Sequence, residues 1–130
     1  MIVVDASVIV TALGDDGSDG DRARQRLHAE RLAAPCLLDL EVTSAWRRLA
    51  AAGDLDDRRA RLALADLQAL RVDRVGHVPL LERCWELRGN LTIYDAAYVA
   101  LAELLEVTLV TADVKLSKAT AAQCPIEVLR

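Results

Sequence analysis

The chain contains no phenylalanine, and two tryptophans and two tyrosines bring its aromatic content to only 3%. Since 53% of its residues are hydrophobic, a well-filled interior has to be built from aliphatic side chains. Cysteine is scarce as well. Cys36, Cys84 and Cys124 are odd in number, far apart and without a C-x-x-C pair, which argues against a disulfide framework or a zinc knuckle and for a reducing compartment. No stretch approaches the ~20 apolar residues of a membrane span. No basic region precedes the first apolar run, so no signal peptide is read and the expected location is the cytoplasm. Repeats, low-complexity tracts and linkers are missing too, and a single domain spanning residues 1–130 is expected. A chain of this size buries roughly 65–70% of its unfolded surface and needs neither disulfide nor metal to hold a core. Positive charge is in deficit, with 16 Lys and Arg against 20 Asp and Glu for a net charge of −4. Taken alone, that counts against a nucleic-acid partner, because phosphate binding favours basic surfaces.

What is present is an alternation of short apolar runs and amphipathic segments. Ile2 to Val4, Leu32 to Pro35, Val72 to Val75, Val107 to Val110 and Ile126 to Leu129 read as strands. Helices are expected over Ala6–Leu13, Asp21–Leu32, Leu37–Ala51, Asp56–Leu70, Pro79–Leu87, Asp95–Leu105 and Asp113–Ala121. Asp15 to Asp21, rich in Gly, Asp and Ser, reads as the clearest loop. In the third helix Leu38, Val42, Ala45 and Leu49 form the apolar stripe; in the sixth it is Ile93, Ala97, Ala100, Leu101 and Leu104. Strands alternating with helices predict an α/β sandwich around a mostly parallel sheet of about five strands.

Four carboxylates sit at the boundaries of these elements. Asp5 ends the first apolar run, Asp113 follows the fourth, Asp95 opens the sixth helix, and Glu41 lies inside the third helix on the shoulder of its stripe. In an open parallel sheet, ligand sites gather beyond the carboxyl ends of the strands at a topological switch point. If the four converge, they cannot all stay ionised side by side unless cations share the site. Hard cations such as Mg²⁺ and Mn²⁺ take oxygen ligands, and no His or Cys lies near enough in sequence to favour zinc. Each residue also has a simpler explanation. Asp5 and Asp113 can cap helices, Thr92 and Asp95 have capping-box spacing, and Glu41 can pair with Arg48.

Taken together, Met1-Ile-Val-Val-Asp5-Ala-Ser7, Ala34-Pro-Cys-Leu-Leu-Asp-Leu-Glu41, Thr92-Ile-Tyr-Asp95-Ala-Ala-Tyr98 and Leu109-Val-Thr111-Ala-Asp113 resemble the motifs of PIN-domain ribonucleases. In length the chain is similar to the VapC toxins of bacterial type II toxin–antitoxin modules. The resemblance spans essentially the whole chain in the right order. It implies a PIN-like three-layer sandwich and an endoribonuclease that hydrolyses RNA phosphodiester bonds with one or two Mg²⁺ or Mn²⁺ ions. Asp5, Glu41, Asp95 and Asp113 would form its acidic tetrad, with Asp5 and Asp95 as core metal ligands, and Ser7 and Thr111 would orient carboxylates or water. It further implies a small VapB-like antitoxin and a homodimer or higher toxin–antitoxin assembly.

Other positively charged and aromatic residues carry less. Lys115 and Lys118 lie nearest the acidic positions in sequence and are the preferred RNA-phosphate contacts among Arg47, Arg48, Arg58, Arg59, Arg61, Lys115 and Lys118. Asp39 is turned about 200° from Glu41 on a helix and is expected to cap or face solvent. His28, His77, Trp46 and Trp85 read as structural. An aspartate-dependent phosphatase or receiver would share the α/β plan, but Ser7 stands where an Asp-x-Asp pair needs its second acid. A catalytically silent PIN-fold interaction module would be expected to lack one of the four acids, and all four are present.

Overall fold

The computed structural model describes all 130 residues. In chain order the elements are β1 (Ile2–Val4), α1 (Ala6–Gly14), α2 (Ser18–Leu27), β2 (Leu32–Pro35), α3 (Leu38–Ala51), α4 (Asp57–Ala69) and β3 (Val72–Val75). A 3₁₀ turn (Val78–Leu80), α5 (Leu81–Glu86), α6 (Ile93–Leu105), β4 (Thr108–Thr111), α7 (Val114–Ser117) and β5 (Ile126–Val128) complete the chain. The five strands form one sheet in the order β3-β2-β1-β4-β5, and every neighbouring pair is parallel. The expected mostly parallel sheet is thus wholly parallel. No helix is long and apolar enough to cross a membrane.

The strand order fixes the layers. From β1 the chain steps to β2 and β3 on one side, then returns past β1 to β4 and on to β5. Right-handed crossovers in opposite directions cover opposite faces. Accordingly α1 packs with α2, α3 and α4, while α6 packs with α5 and lies across β1, β2 and β4. β1 and β2 are buried throughout, as apolar strands sandwiched between two helical layers must be.

Several expectations shift. α2 starts at Ser18 and ends at Leu27 instead of running from Asp21 to Leu32, so the Gly-Asp-Ser segment is partly helical. Asp19 and Asp21 in its first turn and Arg24 and Arg26 in its last complement the helix dipole. Gly20 serves close packing there, because a Cβ would come within 1.8 Å of the Asp15 carbonyl oxygen. In α3 the buried stripe is Leu38, Val42 and Trp46, with Trp46 Nε1 donating to the Val10 carbonyl at 3.2 Å. That contact brings the indole inward, and Leu49, expected on the stripe, stays exposed. In α6 all residues from Ala96 to Ala102 are buried, whereas Ile93 and Leu104 are 42% and 61% exposed. Held between the sheet and α5, this helix has no solvated face along its middle. The helix expected over Asp113–Ala121 shortens to the single turn α7, whose one buried side chain is Leu116.

Candidate active site

In a parallel α/β fold, a helix that directly follows a strand begins at the sheet's carboxyl edge, and α6 starts there as well, since Asp95 in its first turn feels the charges of Asp5 and Asp113. The first turns of α1, α3, α6 and α7 therefore gather along that edge, around the point between β1 and β4 where the strand order reverses. Each brings one acid. Asp5 is the N-cap of α1 and Asp113 the N-cap of α7. Asp95 lies in the first turn of α6, which Thr92 caps. Glu41 lies in the first turn of α3, which begins at Leu38. The capping roles open to Asp5 and Asp113 are real, and they leave both acids close enough to Asp95 for their charges to be felt there.

Asp5 is 6% exposed, the one charged residue in the buried interior. Its Oδ2 accepts hydrogen bonds from Ser7 Oγ at 2.5 Å, from Thr111 Oγ1 at 3.0 Å and from the Ser7 amide at 3.4 Å. No buried side-chain oxygen lacks a partner, so Oδ1, which takes none of these bonds, is reached by solvent. Ser7 Oγ also accepts from the Ala112 amide, and Thr111 Oγ1 from the Asp113 amide, both at 3.0 Å. The two hydroxyls thereby sew the β1–α1 junction to the β4–α7 junction and aim one carboxylate.

The acids feel one another. Burial pushes the Glu41 carboxyl above its ordinary range, with repulsion from Asp5 and Asp95 adding to the rise and a hydrogen bond from Tyr98 opposing it. Asp95 is raised by burial and by the charges of Asp5 and Asp113, partly offset by Thr92. Despite that repulsion, none of the four joins any of the chain's eleven ion pairs. Arg48, the partner considered for Glu41, instead donates to Ser44 Oγ at 3.1 Å. This all-oxygen set, hydroxyl-supported and left with uncompensated negative charge, fits a hard divalent cation. No three Asp, Glu, His or Cys side chains are arranged as a ready-made metal cage.

The other charged candidates separate by environment. Arg59 is clamped on Asp16 at 3.0 Å and on the Leu13 carbonyl at 2.8 Å, a structural role, and Arg61 pairs with Asp57 on the solvated face of α4. Lys115 and Lys118 are exposed beyond Asp113 and make no ion pair. Asp39 neither caps nor floats free, because Arg74 grips it at 2.6 and 3.0 Å. Trp85 is exposed, stacked under the Arg88 guanidinium at 4.2 Å. Tyr98 has no assigned role in the sequence reading, yet its hydroxyl donates to Glu41 Oε1 at 2.7 Å. The available signal is its spacing, three residues after Asp95 on the same helix face.

Residues 2–122 match the family model described as PIN domain. Ribonuclease VapC9 of Mycobacterium tuberculosis is 51% identical over 129 residues, covering 99% of this chain and 98% of its own. Ribonuclease VapC1 of the same species is 42% identical over 129 residues, covering 98% and 97%. Among solved structures, VapBC2 from Rickettsia felis bound to a DNA fragment from their promoter superposes with a TM-score of 0.72 over the full length of both chains, at 15% identity. At that identity the likeness concerns the fold.

Proposed function

The chain belongs to the PIN-domain family, among its VapC ribonucleases, and from that premise we propose that it is a toxin endoribonuclease of the cytoplasm. It hydrolyses RNA phosphodiester bonds with Mg²⁺ or Mn²⁺, one or two ions, and a small VapB-like antitoxin neutralises it. The observation that carries this reading is the set of four carboxylates at the carboxyl edge of the sheet, none with a cationic partner.

In this reading Asp5 and Asp95 are the core cation ligands, and Glu41 and Asp113 complete the set. When bound, a divalent cation supplies Lewis-acid activation of water and neutralisation of charge at the phosphate. Ser7 and Thr111 hold Asp5 by Oδ2 and leave Oδ1 for the ion. A carboxylate not saturated by the ion takes the proton of the attacking water. The positive ends of the α1, α3 and α6 dipoles point to the same edge and attract the RNA phosphate. Lys115 and Lys118, free of ion pairs, contact neighbouring phosphates.

Two surfaces support the expected partners. Between the end of α1, the end of α3 and the start of α4 lies a cleft of about 500 Å³. Its apolar part is Val10, Leu49 and Leu55, and Asp15, Asp16, Asp54 and Asp56 outnumber Arg59 along its walls. An amphipathic antitoxin segment with basic residues is complementary to it. Elsewhere Leu81, Ile93 and Tyr94 are exposed and line an apolar hollow with Leu37, Cys84 and Ala97, a surface of the kind that a two-fold homodimer covers.

The test is cleavage of structured RNA by the purified chain with and without a chelator, alongside Asp5→Asn. Metal-dependent cleavage lost in the variant is expected. Chelator-resistant cleavage, or full activity in Asp5→Asn, rejects the assignment.

A further inference from the structure

Tyr98 is fully buried, one helical turn along α6 from Asp95, and its hydroxyl has one protein partner, the Glu41 carboxylate at 2.7 Å. The bond joins the helical layers on the two faces of the sheet, α3 to α6, just beneath the acidic edge. Its chemistry differs from that of most other acids with a side-chain partner. Asp16, Asp39, Glu103 and Glu127 are each held by a guanidinium, which fixes the carboxylate and cancels its charge. A phenol fixes the carboxylate and leaves the charge in place. It also fixes which oxygen is used, since Tyr98 engages Oε1 and no side chain or backbone group donates to Oε2. A glutamate has three rotatable bonds and, at this half-buried position beside Asp5 and Asp95, is driven outward by their repulsion. A donor behind it resists that drift.

We propose that Tyr98 is a positioning residue, which holds Glu41 beside Asp5 and Asp95 through Oε1 so that its uncancelled charge and its Oε2 complete the cation site. The inference rests on the metal-dependent reading above and adds to it a specific support for one ligand. Groups that orient metal ligands typically change affinity or activity by 10–100-fold when removed, and the same range applies here. Tyr98→Phe deletes a single oxygen and preserves the ring that fills the core.

The experiment measures Mn²⁺ binding by calorimetry to the full chain, to Tyr98→Phe, to Glu41→Ala and to the double variant, with melting curves for each. The expected result is Mn²⁺ binding by the unaltered chain and an affinity about 10-fold weaker in Tyr98→Phe. In the Glu41→Ala background, Tyr98→Phe should have no further effect, since coupled residues fail to add. RNA cleavage by Tyr98→Phe should lose kcat with KM unchanged. A second readout needs no substitution of Tyr98: with tyrosine labelled at Cζ, Mg²⁺ should shift the Tyr98 resonance in the unaltered chain and leave it in place in Glu41→Ala. Unchanged Mn²⁺ affinity in Tyr98→Phe, or a loss that persists in the Glu41→Ala background, overturns the positioning role and leaves the metal reading standing. Absence of Mn²⁺ binding by the unaltered chain overturns both.

Discussion

Asp39 and Glu41 lie two residues apart in the first turn of α3 and are used in opposite ways. Asp39 receives both arms of Arg74, which also donates to the Leu67 carbonyl at the end of α4. That acid is a structural clasp between α3, α4 and β3. Glu41, turned about 200° around the helix, receives one neutral hydroxyl and faces two other acids. The same division runs through the molecule. Glu103 with Arg83 and Glu127 with Arg26 are clasps, whereas the acids at the carboxyl edge are held by hydroxyls, amides or nothing. A charge that the fold supports but declines to cancel is available to something that is not part of the chain.

The contrast predicts graded outcomes. The largest effect is expected from the uncancelled group. Asp95→Asn should reduce RNA cleavage by at least about 100-fold while circular dichroism shows an unaltered fold, and retained activity would remove the distinction. Next comes a clasp with a nearly buried acid. Arg83→Ala strands Glu103, whose side chain is 12% exposed, and should lower stability by about 2 kcal/mol, or Tm by roughly 5–8 °C. Metal-dependent cleavage below that Tm should be unaffected. Asp39→Asn breaks a more exposed pair and should cost at most about 1 kcal/mol, or roughly 3–4 °C, again without loss of cleavage.

The smallest effect carries the clearest sign. Glu41 is raised above its ordinary value by burial first, so the folded chain binds that proton more tightly than the unfolded chain. Its contribution to stability therefore falls as pH rises through the carboxylate range, and the deficit persists at neutral pH. Glu127 is lowered by its hydrogen bond to Arg26, so its contribution is present at neutral pH and is lost as pH falls through its folded value. In metal-free buffer Glu41→Gln should melt above the unaltered chain at pH 7, and Glu127→Gln below it. The Glu41 gap should close on acidification to about pH 3, below the ordinary carboxylate values, and the Glu127 gap only below its lowered folded value. Shifts of the same sign in both variants would show that the two carboxylates are not in opposite environments.

The sheet is legible in the sequence because short aliphatic runs bounded by turn residues have few other readings; β2 and β3 fall on the expected residues. The start of α2 is not, since Ser18, Asp19 and Gly20 suit a loop by composition and a helix start by charge, and the Asp15 carbonyl packed against Gly20 decides between them. Burial around the whole of α6 is hidden because alanines at consecutive positions give no period. That Asp5, Asp95 and Asp113 stand at element ends is readable from the apolar runs they interrupt or adjoin. Two further features depend on contacts distant in sequence. Arg74 is 35 residues from Asp39, and Tyr98 is 57 from Glu41, so whether an acid is cancelled or merely held could be decided only in three dimensions.

The two outer strands of the sheet carry their own paired charges. On β3, Asp73 meets Arg31 and Arg74 meets Asp39; on β5, Glu127 meets Arg26. A parallel sheet of aliphatic strands is otherwise a template for adding further strands from other chains, and clamped charge along an open edge obstructs that growth. Edge-to-edge pairing between copies of the chain is disfavoured by these charges. Resistance to fibre formation is thus written into the rim of the same sheet whose centre holds the acids.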